Sequence, residues 1–313
     1  MHYRYHALDY LKILLVAGVV LGHSGLGQQS VGTIGLLLGS STLRMAVPMF
    51  AVISGFFLLH SIERGRFRAW VTRILMLYAI WALFYVLLMQ LWERPVGQNL
   101  YELSMGLIHL WFLLGLAQAA LILSLIRRWG LKALLWSGLA FGLAGIALQG
   151  MRLSGVARVP LEVFRSGPFN LYIYLVMGYA IAAIRRDPIL FQALRPSNRA
   201  LWGMMVAGFV MVNLEQVFWL GLFDTDMPVE MMAGYWLICP ALFLLVIDIR
   251  AEKPALPLGA MVSAIYMLHM PALHRGSGMH LPSLTLAAFL IPALGVYALS
   301  VTPRGQRLML QIL

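Results

Sequence analysis

Apolar stretches long enough to cross a membrane recur along the whole chain, and polar residues collect at their ends. A spanning helix needs about 17–25 mostly apolar residues, whereas strands of a membrane barrel alternate in polarity over about 10 residues. The pattern therefore predicts an all-α fold, a polytopic integral membrane bundle of about ten transmembrane helices. The predicted spans are residues 7–25, 37–60, 71–92, 106–126, 131–150, 168–185, 200–222, 231–249, 257–273 and 282–301.

Composition leaves no room for a separate water-soluble domain. The 313 residues are 61% hydrophobic and only 11% charged, so we expect one membrane-embedded domain over residues 1–313. The first span contains Asp9 and Lys12 and has no small-residue cleavage site, which predicts a retained helix and not a signal peptide. The single cysteine, Cys239, excludes an internal disulfide.

The distribution of basic residues predicts the orientation in the membrane. A net charge of +11 would suit nucleic acid, but the charges lie at span ends, which favours a lipid bilayer as the partner. Sixteen Lys and Arg residues fall in one set of alternating connections and six in the other, with Lys12 inside a span. Cytoplasmic connections carry the excess, so both termini are predicted to be cytoplasmic.

Several polar side chains are predicted near the outer ends of their spans. Charged or imidazole groups at such depths cost about 2.5–3.5 kcal/mol on insertion scales, so they normally face a bundle interior or a water-filled cavity. Their shared depth predicts a polar pocket that opens in the outer leaflet. These residues are His23, Arg44, His109, Trp111, Gln149, Asn170, Glu215, Tyr266 and His269.

The first span carries a second polar cluster at its cytoplasmic end. Asp9 and Lys12 are three residues apart and therefore share a helical face. His23 follows about 20 Å further along the helix, within about 40° of that face. This stripe, with an ion pair at one end and an imidazole at the other, is compatible with a tunnel across the membrane.

Each of these residues also has an ordinary structural interpretation. A histidine near the end of a membrane helix is often interfacial, and Asp9 and Lys12 can simply neutralise each other. Arg44 fits an outer anchor, Trp111 an aromatic belt and Tyr266 the core. Their convergence at one depth favours a functional site over separate structural roles.

Four stretches resemble signatures of the acyltransferase type 3 family, most closely the branch that O-acetylates surface polysaccharides. "YHALDYLKILLVAGVVLGH" resembles its first-helix signature, an acid and a base followed by a histidine. "LRMAVPMFAVISGFFL" resembles its second signature, and "LGAMVSAIYMLHMP" its penultimate-helix signature. "HLWFLLGL" is a weaker match.

The resemblance implies a bacterial inner-membrane enzyme that moves an acyl group, usually acetyl, from cytoplasmic acyl-CoA to a sugar hydroxyl at the outer face. His23 matches the family's essential histidine and Arg44 its essential arginine. Asp9 accompanies them in the expected catalytic set, and Trp111, His109, Glu215, Tyr266 and His269 are the expected acceptor-binding residues. Lys12 and Ala51 depart from the usual arginine and phenylalanine.

Acyl transfer to an alcohol requires removal of the hydroxyl proton and stabilisation of an oxyanion. A neutral imidazole suits the first task, which makes His23 the expected general base. Arg44, or a backbone N–H at an expected Ser54-Gly55 turn, suits the second. A covalent acyl-histidine intermediate remains an alternative mechanism.

Acetyl-CoA, the expected co-substrate, carries several phosphates, so its cytoplasmic site should be basic. Lys12, Arg68 and Arg73 are the expected contacts, with Arg64 and Arg66 nearby. No metal-ligand spacing is present, and we expect no metal.

Other functions remain open at this stage. A proton-coupled transporter would use the embedded Glu215 and the ion pair, but it predicts an internal repeat, and none is evident. Succinyl transfer, acylation of a non-polysaccharide acceptor and a structural role in polysaccharide export are further alternatives. The sequence does not determine the oligomeric state; a homodimer is one option.

Overall fold

The computed structural model describes residues 5–24, 41–223, 229–275 and 280–312. Every regular element in these ranges is helical. The helices are α1 His6–Ser24, α2 Ala46–Glu63, α3 Phe67–Leu88, α4 Val96–Met105, α5 Trp111–Ile126, α6 Leu131–Leu153, α7 Leu161–Arg165, α8 Tyr172–Ile184, α9 Pro188–Leu194, α10 Asn198–Phe223, α11 Tyr235–Val246, α12 Leu258–Arg275, α13 Leu281–Ser300 and α14 Pro303–Ile312.

The helices confirm the predicted polytopic membrane bundle. Within the described ranges, eight helical segments are long and apolar enough to cross a membrane, and two shorter apolar segments, Tyr235–Val246 and Leu258–Leu273, accompany them. Each corresponds to one predicted span, because a run of apolar residues bounded by polar ones determines a helix of that length in lipid. The cytoplasmic placement of the termini stays a prediction.

The chain forms two compact units. The terminal unit comprises residues 1–47 and 242–313, and the central unit comprises residues 48–241. The expectation of one functional domain over residues 1–313 stays a prediction.

In the terminal unit, α1 packs against α12, α13 and the short 3-10 turn Leu43–Met45. Small residues on α1 receive this turn: a Cβ added at Gly18 would lie 3.5 Å from Leu43 Cδ2, and one at Gly22 would lie 3.9 Å from Leu43 Cβ. The glycines thereby bring the turn, including Arg44, against the C-terminal half of α1.

In the central unit, glycines allow α2 and α8 to touch backbone to backbone. A Cβ at Gly55 would collide with the carbonyl oxygen of Leu175, and a Cβ at Gly178 would collide with that of Val52. Ser54 and Gly55 lie inside α2, so the expected turn at this dipeptide is wrong. Small residues are used here for close helix packing, as is common between membrane helices.

We predict that Gly178→Ala destabilises the protein by about 1–3 kcal/mol, because the added methyl group must displace the backbone of α2. The measurement is thermal unfolding of the purified protein in detergent. Gly221→Ala is the matched control, because a Cβ at Gly221 meets no atom within 4 Å. Equal unfolding temperatures for the two variants would contradict the close contact between α2 and α8.

Candidate active site

Two histidines of the terminal unit lie against each other. His23, on the last turn of α1, is exposed, whereas His269, on α12, has no exposed surface. Their ring centroids are 5.1 Å apart, and the ring planes are inclined by 49°. Because both residues lie near the C-terminal ends of their helices, these two ends are neighbours, as two helices that cross the membrane in the same direction would place them.

Both imidazoles have one nitrogen directed to the backbone of their own helix. His23 Nδ1 lies 2.9 Å from the carbonyl oxygen of Val19, and His269 Nδ1 lies 2.8 Å from that of Tyr266 and 3.1 Å from that of Ile265. A carbonyl can only accept a hydrogen bond, so Nδ1 carries the hydrogen and donates it. In each neutral ring, Nε2 is therefore the basic nitrogen.

Tyr266 and Arg44 belong to the same unit. The Tyr266 ring centroid lies 6.3 Å from that of His269. Arg44 is half-buried in the turn that packs on Gly18 and Gly22 of α1. The terminal unit thus contains His23, Arg44, Tyr266 and His269, four of the residues that the sequence marked.

Asp9 lies at the opposite end of α1 from His23. Its buried carboxylate accepts a hydrogen bond from Lys12 Nζ at 3.4 Å, and His6 Nδ1 lies 3.9 Å from its other oxygen. Because α1 is continuous, about 20 Å of helix separates Asp9 from His23. Asp9 therefore does not orient the His23 ring directly, and its catalytic role stays a prediction.

His109 and Trp111 begin the α5 region of the central unit. The His109 side chain is buried, and its ring centroid lies 5.3 Å from that of Tyr85 on α3. Trp111 is half-buried, and the guanidinium carbon of Arg165 lies 5.2 Å from the Trp111 ring centroid. This geometry is a cation–π contact.

The sequence did not identify Arg165 as a site residue, because it stands out there only as one charged residue in a connection that is predicted to be outer. The structure holds the segment after it close to α5. Gly167 and Gly115 approach backbone to backbone, and the Gly167 N–H donates to Gln118 Oε1 at 3.1 Å. These contacts hold the chain that carries Arg165 beside α5, where its guanidinium lies over the Trp111 ring.

Glu215 has a structural role in the central unit. Its carboxylate accepts hydrogen bonds from the backbone N–H groups of Ala233 at 3.2 Å and Gly234 at 3.4 Å, just before α11 begins. Buried Gln149 acts in the same way on the preceding residues, accepting from the N–H groups of Glu230 at 2.8 Å and Met231 at 2.9 Å. These contacts satisfy backbone donors ahead of a helix, and a substrate-binding role for Glu215 stays a prediction.

Of the basic residues expected to bind acyl-CoA, the arginines are exposed at the start of α3 and in the connection before it, whereas Lys12 is half-buried on α1. Arg64, Arg66, Arg68 and Arg73 all have exposed side chains. Nearby in the same unit, Arg186 forms an ion pair with Glu63. Within the described ranges, no group of three or more His, Cys, Asp or Glu side chains is placed to hold a metal ion.

Comparison with known families decides the class of this protein. The family model for the acyltransferase 3 domain matches residues 5–302. The chain belongs to the acyltransferase 3 family. No curated protein and no solved structure matches it. The match covers nearly all of the chain and confirms the resemblance seen in the sequence, so this protein is a multi-pass membrane acyltransferase.

We predict that Glu215→Ala lowers the stability of this acyltransferase by about 1–3 kcal/mol, because two backbone N–H groups lose their acceptor. Glu215→Gln keeps one acceptor oxygen but turns an NH2 donor towards the other backbone N–H, so its stability should fall between those of wild type and Glu215→Ala. The measurement is thermal unfolding in detergent, with exposed Glu252→Ala as the control. A Glu215→Ala variant as stable as this control would argue against the capping role.

Proposed function

We propose that this acyltransferase transfers an acetyl group from cytoplasmic acetyl-CoA to a hydroxyl group of an exported or cell-surface polysaccharide, in a bacterial inner membrane. The observation that carries the proposal is the His23 imidazole. It is exposed at the end of α1, and its Nδ1 hydrogen bond to Val19 leaves Nε2 as the basic nitrogen. A general base needs this combination of access to substrate and a defined tautomer.

His23 acts first as a base and then as an acid. Its Nε2 accepts the proton of the sugar hydroxyl while the hydroxyl oxygen attacks the thioester carbonyl carbon. When the tetrahedral intermediate collapses, the C–S bond breaks, and the proton passes to the sulfur of the leaving CoA. The products are the sugar ester and the CoA thiol, and His23 is neutral again.

Arg44 is the proposed partner for the negative charge on the carbonyl oxygen. The Leu43–Met45 turn packs on the C-terminal half of α1, within the same unit as His23. A guanidinium is always charged and offers several N–H donors. In a site that contains little water, such a donor stabilises an oxyanion more strongly than it would in bulk solvent.

The alternative route forms an acetyl-histidine first. Here His23 Nε2 itself attacks the thioester, CoA leaves, and the sugar hydroxyl takes the acetyl group in a second step. The tautomer supports both routes because each uses the same nitrogen. A burst of CoA release without acceptor, or isolation of acetylated His23, would identify this second route.

The donor is proposed to bind through the exposed arginines at the start of α3, because guanidinium groups form two parallel hydrogen bonds with phosphate oxygens. Arg68 and Arg73 are accessible for such contacts. A contact of Lys12 with the donor stays a prediction; in the structure its ammonium group contacts Asp9.

We predict that His23→Ala abolishes transfer of labelled acetyl from acetyl-CoA into polysaccharide. The assay supplies acetyl-CoA to the cytoplasmic face of membrane vesicles, and His60→Ala, an exposed histidine on α2, is the control. Equal label in wild type and His23→Ala would make His23 structural. Absence of label in both would contradict the proposed donor or acceptor.

We predict that Arg73→Ala raises the KM for acetyl-CoA about 10-fold or more with little change in kcat, because one charge-assisted contact to phosphate is lost. The measurement is initial-rate kinetics in the same vesicles. Arg158→Ala, which removes another exposed arginine, is the matched control. An unchanged KM would contradict this donor site and favour the basic residues of 185–199 instead.

A further inference from the structure

The mechanism above uses one histidine of a pair. His269 is completely buried, and its ring lies directly beside that of the proposed base, with 5.1 Å between ring centroids. Burial of a second imidazole costs free energy, because its ring nitrogens need hydrogen-bond partners and an apolar side chain of the same size does not. The presence of histidine at this position therefore suggests a chemical role.

The tautomers determine when the two rings can bond to each other. Both Nδ1 atoms donate to backbone carbonyls of their own helices, so in the neutral pair both Nε2 atoms are acceptors. Two acceptors cannot share a hydrogen bond. Once His23 takes a proton at Nε2, that nitrogen becomes a donor, and the adjacent His269 ring, whose centroid lies 5.1 Å away, offers an Nε2 lone pair as an acceptor.

We propose that His269 is a positioning residue that accepts a hydrogen bond from protonated His23 and so stabilises the imidazolium formed during transfer. This inference rests on the proposed function, since it assigns a role within the same site. The contact is specific to the charged intermediate, so it stabilises the state that follows proton abstraction more than the resting enzyme.

The proton balance is unchanged by this contact. The O–H bond of the acceptor breaks as its oxygen bonds to the thioester carbon, and the proton resides on His23 Nε2 in an N–H···N hydrogen bond to His269. When the C–S bond breaks, the proton moves to the CoA sulfur. His269 gains no proton at any step.

Other polar groups also face α1 from the elements that pack on it. The Leu43–Met45 turn contributes Arg44, and α12 contributes Tyr266 beside His269. Helix α13 contributes Thr285, whose hydroxyl donates to the carbonyl oxygen of Leu281. Tyr297 lies near the C-terminal end of α13, and the exposed His280 lies just before its first residue. The side chains of His274 and Arg275, at the end of α12, lie outside the described ones. All of these groups remain unchanged when His269 alone is substituted, so the comparison isolates the second imidazole.

The test measures the protonation of His23 without any substrate. Diethyl pyrocarbonate modifies neutral imidazole, and mass spectrometry of the peptide containing His23 gives the rate of modification as a function of pH. The full chain is used in detergent, as wild type, His269→Gln and His269→Asn. A Gln amide can place its oxygen near the position of Nε2, whereas the shorter Asn amide reaches only the position of Nδ1.

We expect the midpoint of the modification profile to fall by about 0.5–1 pH unit in His269→Asn and to stay near wild type in His269→Gln. His269→Leu should behave as His269→Asn does. In the acetyl transfer assay, His269→Asn should lower kcat about 10-fold with little change in KM for acetyl-CoA. Thermal unfolding of each variant verifies that it is folded.

An unchanged or raised midpoint in folded His269→Asn would overturn the inference, because His269 would then give no support to the imidazolium. The two proposals can fail separately. A shifted midpoint with no acetyl transfer by wild type would overturn the proposed function and support the contact. Transfer that depends on His23, with an unshifted midpoint, would overturn only the contact.

Discussion

The constraint on which this structure depends is that a polar group inside a lipid bilayer must find its partner within the protein. Backbone groups in the spans are satisfied by helix formation. Several embedded side chains follow the same rule. Asp9 contacts Lys12 one turn away, Gln149 is bonded to the backbone of residues 230 and 231, and the Nδ1 atoms of His23 and His269 are bonded to carbonyls one turn earlier.

This constraint also separates structural polar residues from candidates for chemistry. Glu215 lies half-buried without a nearby base in sequence, which marks it as functional by the ordinary rules for membrane proteins. Its carboxylate instead accepts from two backbone N–H groups ahead of α11. His23 differs because its Nδ1 is satisfied while the ring remains exposed, a combination suited to proton transfer.

Close packing determines which polar groups become neighbours. Gly18 and Gly22 receive the turn that carries Arg44, and Gly115 with Gly167 holds the segment after Arg165 against α5. In lipid, apolar side chains give little hydrophobic drive for helices to associate, so close contact through small residues is an effective alternative. The same contacts that hold the helices together therefore position the charges.

The sequence by itself determined the features that depend on neighbours along the chain. The apolar helical segments, the membrane class and the Asp9–Lys12 pair follow from helical periodicity and from hydrophobic length. The family signatures likewise marked His23, Arg44, Tyr266 and His269, which share one unit. Only the tertiary structure decided that His23 lies against His269, that Arg165 lies over Trp111, that Glu215 accepts from the backbone ahead of α11 and that Gly55 packs against Leu175. The physical reason is that these contacts join residues between 18 and about 250 positions apart, and they depend on which helix faces meet, for which a single sequence carries no local signal.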